Sequence, residues 1–254
     1  MNRELQIIGL VVVKNEEFYI EQVVRNISGF CDRIFICDNG SEDETLAKIQ
    51  SLANGDPKVE VHSIQDMAES HELVTPYAGT PSWIFAVDGD ELYDPSGLQR
   101  FRQLLEKGVY DHAFNVYGHC FHCEGIDVEK KQAAGYVTPE AKSCTKLYNF
   151  RVIDAWRGCR NERLHGGEVD FKEGWHYGLK FPYMETVSWE DADFRCLHLC
   201  FMRRSSLDPA ESSYSRPNIV DLKVENQSKV GSAWKNEQYR RGDRLEISAA
   251  AFLK

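Results

Sequence analysis

The chain opens on an unbroken apolar run from Ile7 to Val13, the pattern of a strand covered on both faces. The stretch Glu16 to Phe30 follows, with Phe18, Ile20, Val23, Val24 and Ile27 at roughly helical spacing, and predicts a helix. A short strand over Arg33 to Cys37 leads into the polar turn DNGSEDE. Ser41 with Glu44 three residues on has the form of a capping box, so the next helix is expected to start at Ser41. The pattern then predicts a strand near Val59 to Ser63, a helix over Asp66 to Val74, and a strand over Trp83 to Val87 that ends in DGDE. Asp94-Pro95 reads as the cap and first position of a helix reaching about Lys107.

Alternation of this kind implies an α/β fold, a mainly parallel sheet with helices on both faces. Ligands of such sheets sit at the carboxyl ends of the strands. KNEE, DNGS and DGDE each directly follow a strand, so three acidic clusters should converge on one edge. After residue 110 the pattern is less regular. Strands are expected over Ala113 to Cys123, Ser143 to Phe150 and Val152 to Trp156, the last two forming a hairpin across Asn149 to Arg151. From Ser205 the chain is polar with few apolar anchors, as in a loosely docked tail or a piece of a longer protein. The expected organisation is a ligand-binding half over 1–110, an acceptor-side half of the same domain over 111–204, and a polar appendage over 205–254.

With 254 residues, 42% of them apolar and 28% charged, the chain has the makings of a full globular core. Its formal charge of -10 argues against a nucleic-acid partner, which would want a basic face. No run approaches the roughly 18 apolar residues of a transmembrane segment, and the first residues lack the basic segment and cleavage site of a secretion signal. The expected location is cytoplasmic, including the periphery of a membrane. Of the eight cysteines, Cys120 and Cys123 stand beside His119 and His122, with Cys196 and Cys200 later, so zinc is considered. Strand alternation points neighbouring side chains to opposite faces, and there is no second Cys-x-x-Cys pair. The expectation is therefore buried free thiols in a reducing compartment rather than a zinc site.

The strongest chemical signal is Asp88-Gly89-Asp90-Glu91 at the end of the strand WIFAV. Two carboxylates one residue apart can share Mg²⁺ or Mn²⁺, which prefer oxygen ligands. Gly89 is expected to leave room for a ligand against the backbone. Asp38, at the tip of its strand and not needed for the helix cap, is expected to accept hydrogen bonds from a ligand.

VVVKNEE, DNGSEDET and WIFAVDGDELYDP, in that order and spacing, resemble the nucleotide-sugar glycosyltransferases of family two, which have the GT-A (Rossmann-like) fold. DGDE with a following proline is similar to the branch that builds lipopolysaccharide cores and related bacterial glycans. The resemblance implies a metal-dependent, inverting transfer of a sugar from a nucleotide-diphosphate donor, of the UDP type, to a glycan or lipid-linked acceptor. It implies that Val12, Val13 and Lys14 line the base, with Glu16 close to the donor and Asp38 bonded to the base. It also implies that Asp88 and Asp90 hold the metal (Mn²⁺ or Mg²⁺) and the diphosphate, with Asp88 near the ribose. Lys14 departs from the aromatic or small residue usual there.

Enzymes of this fold often recruit a late histidine to the metal, and His198 in CLHLC is the candidate, with a buried structural histidine as the other reading and His165 as competitor. Glu190-Asp191 in SWEDADF resembles the pair that supplies the general base, Asp191 being preferred to Glu190 and Glu162 standing as an outsider. Two rival readings remain open. One is a non-catalytic binding module of the same fold. The other is a sugar nucleotidyltransferase, against which KNEE lacks the Gly-rich loop such enzymes use for triphosphate.

Overall fold

The structure, a computed structural model, describes residues 5–137, 146–157, 168–208, 240 and 242–254. In the first half, β1 (Gln6–Val13), α1 (Ile20–Ser28), β2 (Arg33–Asp38), α2 (Thr45–Gly55), β3 (Val59–Ser63), β4 (Ser82–Asp88), β5 (Glu91–Tyr93) and α3 (Pro95–Glu106) follow one another. Among the described residues of the second half most elements are strands: β6 (Asn115–Tyr117), β7 (His119–Asp127), β8 (Gln132–Val137), β9 (Lys146–Asn149), β10 (Ile153–Arg157), β11 (Glu168–Phe171) and β12 (Lys180–Pro182). The short helix α4 (Tyr183–Thr186) precedes β13 (Arg195–His198), and β14 (Leu245–Ser248) closes the chain.

The central sheet has the order β12-β6-β9-β4-β1-β2-β3. β1 is parallel to β2 and β4, β2 to β3, and β12 to β6, while β9 runs antiparallel to both its neighbours. The mainly parallel sheet expected from the alternation is therefore present. Burial along β1 explains its uninterrupted apolar run. Ile7, Val11 and Val13 join a core with Val23 and Ile27 of α1, Ile49 of α2 and Leu98 and Phe101 of α3. Ile8, Leu10 and Val12 face the other way, into a cluster closed by a 3₁₀ turn over Met67–Leu73 and by the β10–β11 ribbon with Trp156. In α1 the buried Ile20, Val23, Val24 and Ile27 recur at the i, i+3, i+4, i+7 spacing of one helical face.

Several boundaries differ from expectation because polar side chains found distant partners. Helix α1 begins at Ile20 rather than Glu16, since the Glu16 N–H donates to Thr45 Oγ1 at 2.7 Å and the chain is held in a loop there. Helix α2 begins at Thr45 rather than Ser41: Ser41 Oγ accepts from the Asn15 N–H, and Asp43 Oδ1 accepts from the Thr45 N–H. The expected capping box is realised instead at Asp66 and Glu69, on the 3₁₀ turn. No hairpin forms across Asn149 to Arg151, because β9 pairs with β4 and β6 whereas β10 pairs with β11; Asn149 Oδ1 accepts from the Arg151 N–H and turns the chain.

A second sheet, ordered β14-β8-β7-β13-β5, lies against the first. β13 sits between β7, to which it is parallel, and β5, to which it is antiparallel. The segment expected as a loose polar appendage is docked at both its described ends. Ser205 and Asp208 are buried, β14 pairs with β8, and Phe252 is buried in the main core. Asn26 Nδ2 bridges the backbone oxygens of Tyr93 and Phe252, so α1, β5 and the last residues are tied together. No described helix is long and apolar enough to cross a membrane.

Asp94 caps α3 as expected, its Oδ1 accepting from the Ser96 and Gly97 N–H groups. A Cβ on Gly97 would lie 2.4 Å from the Asp193 carbonyl oxygen. In an open helix Gly→Ala gains up to about 1 kcal/mol; here overpacking, which typically costs about 1–3 kcal/mol, reverses the sign. Gly97→Ala is expected to lower the urea midpoint at unchanged slope.

Candidate active site

The parallel register sets the carboxylates on one edge. Val13 pairs with Asp38 and Val12 with Asp88, so Asp38, the KNEE loop and DGDE stand at the carboxyl ends of three adjacent strands. With strands about 4.8 Å apart, the backbones at Asp38 and Asp88 are roughly 10 Å from each other. Val12, Val13, Glu16, Asp38 and Asp90 are buried at this edge, while Lys14 and Asp88 are half-buried.

The loops are stitched to each other. Asn15 takes a left-handed conformation with φ of 54°, and its Oδ1 accepts from the Glu42 N–H at 2.8 Å. Asp38 is more engaged than its position at a strand tip suggested: both its carboxylate oxygens accept from the Ser41 N–H, at 3.2 and 3.4 Å. Glu91 is buried and holds the DGDE turn, Oε2 accepting from the Asp88 N–H and from the Tyr93 hydroxyl, each at 3.1 Å. Burial, with the Glu91 charge beside it, raises the Tyr93 pKa well above its ordinary value, which keeps the phenol a donor. Gly89 also answers a packing requirement. A Cβ there would lie 2.7 Å from Glu16 Cγ and 3.0 Å from Val13 Cγ1, so its smallness seats β1 and β4 tips against each other.

Arg204 is the site residue that sequence reasoning missed. Its buried guanidinium contacts Asp90 Oδ2 through Nη1, with Glu16 Oε1 at 3.5 Å. Burial alone would lower its pKa, but Asp90 and Glu16 more than reverse this, and the pKa stands above that of a free arginine. The neighbouring residues fasten the same segment: Ser205 Oγ donates to Asp43 Oδ2, the Ser206 N–H to Glu17 Oε1, and the Arg204 N–H to Asp208 Oδ2. Hydrogen bonds from Ser206 are the main reason the Glu17 pKa is lowered. The only hint along the chain is an Arg-Arg-Ser-Ser run in otherwise featureless sequence.

His198 does arrive at the edge, Nε2 lying 3.5 Å from Asp90 Oδ2. Its other nitrogen, Nδ1, is 2.8 Å from His122 Nδ1. Burial pulls the His198 pKa down, but Cys200 and Asp90 push it well above the ordinary value; burial and then His198 hold His122 well below it. Asp88 and Asp90 offer oxygen ligands of the type Mg²⁺ or Mn²⁺ prefers, with His198 beside Asp90; among the described residues the group of three ligand atoms that converges within 4.8 Å is Cys120, His122 and His198 instead. Arg204 touches the same Asp90 oxygen, yet with Asp88 and Glu16 alongside, the carboxylates outnumber its single charge and the edge stays acidic.

Glu190 and Asp191 are not part of this constellation. β13 meets DGDE at its carboxyl end, where the Leu199 N–H donates to Asp90 O, and meets Asp94 at its start, where the Asp94 N–H donates to Arg195 O. These ends are roughly 10–13 Å apart at 3.3 Å per residue. Glu190 and Asp191 precede the far end: the Glu190 carbonyl accepts from Arg195 Nη1, and the exposed Asp191 carboxylate accepts from Ser188 Oγ at 2.9 Å. The pair belongs to a surface turn over the start of α3. His165 and Glu162 lie outside the described residues.

The model of Glycosyl transferase family 2 matches residues 10–208. No curated protein matches the chain. Among solved structures, TarS from S. aureus (residues 1–349, in complex with UDP) is 16% identical, with a TM-score of 0.41 over 57% of this chain and 47% of that one. Glucosyl-3-phosphoglycerate synthase from Mycobacterium tuberculosis, with Mn²⁺, UDP and glucosyl-3-phosphoglycerate, is 20% identical, with a TM-score of 0.35 over 46% of this chain and 44% of that one. The mannosyltransferase PcManGT from Pyrobaculum calidifontis, with GDP-Man and Mn²⁺, is 12% identical, with a TM-score of 0.47 over 96% of this chain and 66% of that one. The chain thus spans less than half the length of the first two.

The Arg204 contacts carry an energetic consequence. Removing one partner of a buried ion pair leaves the other charged and unmet, at a typical cost of about 3–5 kcal/mol. Arg204→Met, which keeps an apolar stem, is expected to lose stability on that scale in urea unfolding, whereas Arg203→Met, on the more exposed neighbour, is expected to lose less than about 1 kcal/mol.

Proposed function

The chain belongs to glycosyl transferase family 2, and from that premise we propose that it moves a sugar from a nucleotide-diphosphate donor to a hydroxyl of a glycan or lipid-linked acceptor. The observation that carries this reading is the register β2-β1-β4, in which Asp38, Asp88 and Asp90 follow adjacent strand ends. In this reading Val12, Val13 and Lys14 form the edge on which the base lies, and Asp38 accepts a hydrogen bond from it through lone pairs that the Ser41 N–H leaves available. Asp88 and Asp90 would hold the divalent ion, with His198 Nε2 turned to the Asp90 carboxylate rather than to the ion. An Mn²⁺ or Mg²⁺ ion bound there would supply a Lewis acid for the charge on the departing diphosphate. The chain's own part is to fix the carboxylates: Glu91 sets the Asp88 backbone, and Arg204 fixes Asp90.

Two measurements test this. Release of nucleoside diphosphate from UDP- or GDP-sugars is expected with Mn²⁺ or Mg²⁺, to vanish in EDTA, and to fall at least about a hundredfold in Asp88→Asn, the usual scale for a group that stabilises transition-state charge. Full turnover in EDTA removes the ion from the mechanism, and nucleotide binding without turnover for any acceptor makes the chain a binding module. Asp191→Asn and Glu190→Gln are expected to leave turnover within about twofold, below 0.5 kcal/mol. A loss of about 10²–10⁴, the contribution of a general base, returns that role to the pair.

A further inference from the structure

A second cluster of ligand atoms lies behind the carboxylates, on the five-stranded sheet. Alternation along β7 puts Cys120 and His122 on one face, while the Cys123 thiol turns away to the Phe121 carbonyl and His119 Nε2 donates to the Val187 carbonyl. The parallel neighbour β13 is in register, with Cys196 opposite Cys120 and His198 opposite His122, and Cys200 comes two residues later. A pair of motifs that are unremarkable in sequence is thereby brought edge to edge, in place of the second Cys-x-x-Cys that the sequence lacks.

The donor atoms of Cys120, His122 and His198 all lie within 4.8 Å of one another. His122 Nδ1 is 2.8 Å from His198 Nδ1 and 3.7 Å from both Cys120 Sγ and Cys200 Sγ. A ring nitrogen has one proton or one lone pair in the ring plane and serves one such partner well. Three potential ligands converging on a single nitrogen is the arrangement of a coordination shell. Tetrahedral zinc, with Zn–N near 2.0–2.1 Å and Zn–S near 2.3 Å, requires N···S edges of about 3.6 Å and N···N edges of about 3.3 Å. The two edges from His122 Nδ1 to sulfur already have that length; Cys200 Sγ stands outside the group that lies within 4.8 Å throughout, so a rotation of its side chain would complete the shell, and a small separation of the two rings would admit the ion. The surroundings agree: Cys120 and His122 are fully buried, and the far nitrogen of His198 faces a carboxylate, Asp90, as metal-bound imidazoles commonly do.

We propose that Cys120, His122, His198 Nδ1 and Cys200 hold a thiolate–imidazole metal ion of the zinc class, distinct from the oxygen-ligated divalent ion of the strand edge. Both cysteines would bind as thiolates and both imidazoles through Nδ1 lone pairs, so loading releases the thiol protons together with the proton shared between the two Nδ1 atoms. His198 then serves the zinc by Nδ1 while its Nε2–H is turned to Asp90, so the ring positions Asp90 and leaves the hard ion to the carboxylates. The site supports the joint between β7 and β13 and is independent of whether the chain transfers sugar.

The test is elemental analysis of the full chain purified with zinc and dialysed, with cobalt substitution as a second readout. About one zinc per chain is expected, as for a closed four-ligand site, and the cobalt form should show tetrahedral visible bands together with thiolate-to-cobalt charge transfer. Cys120→Ser and Cys200→Ser should each reduce bound zinc at least about tenfold and remove the charge-transfer band, since serine keeps the volume but is a poor ligand for a soft ion. Asp88→Asn, which would cripple the proposed transfer, should leave zinc unchanged, so the two readings fail separately. Loss of zinc in either serine variant, with retention in Asp88→Asn, supports the site. Wild-type protein that retains no zinc and gives no charge-transfer band overturns it, as does zinc that survives both serine substitutions.

Discussion

The carboxylate of Asp90 is buried, and a buried charge left without a partner costs several kcal/mol. Much of the molecule is arranged around meeting that demand. Arg204 meets it directly, and His198 lies on its other side. Neither residue belongs to the strand–helix half that carries the acidic loops, so compensation obliges the second half of the chain to close over the first. Once Arg204 is seated, Ser205 and Ser206 reach Asp43 and Glu17, and Phe18 bonds back to the Arg204 carbonyl. One charge requirement thus fastens the KNEE loop, the DNGSEDE turn and the chain after β13 into a single piece.

That fastening also gives each group of the strand edge a fixed neighbour. Gly89 lets Glu16 and Val13 pack into the DGDE turn, Glu91 holds the turn from beneath, and Asn15 and Thr45 anchor the intervening loop. A site whose groups are already oriented has little reorganisation to undergo on binding, which is how fixed dipoles and charges come to act strongly.

Features that depend on neighbours in sequence were legible. The apolar runs of β1, β2, β3 and β4 were read nearly to their ends, and Asp94-Pro95 marked the start of α3, because burial and capping there are local matters. The same reasoning misplaced the starts of α1 and α2, where Glu16, Ser41 and Thr45 form bonds across loops 26 or 29 residues apart. It brought Asp38, Asp88 and Asp90 to one edge through the rule for parallel sheets, yet could not see Arg204, which is 114 residues from Asp90. The GHCFHC run shows the limit from the other side. Alternation was used as an argument against a cluster, although it is alternation that puts Cys120 and His122 together, and only the pairing of β7 with β13 supplies the remaining groups. β14 was missed because its residues are largely exposed and its pairing with β8 leaves almost no apolar signature.

The distance along the chain between Asp90 and Arg204 bears on how the protein comes into being. Synthesis delivers the acidic strand tips early and their cation late, with β6 to β13 emerging in between. Domains made from the amino terminus outward can begin to fold before they are complete, but here the nascent sheet would have to keep Asp90 and Glu16 in water. Until residues 199–208 arrive, Asp90 and Glu16 lack the cation that meets them in the finished fold, so the charge pairing of the strand edge is completed only when the second half of the chain is present.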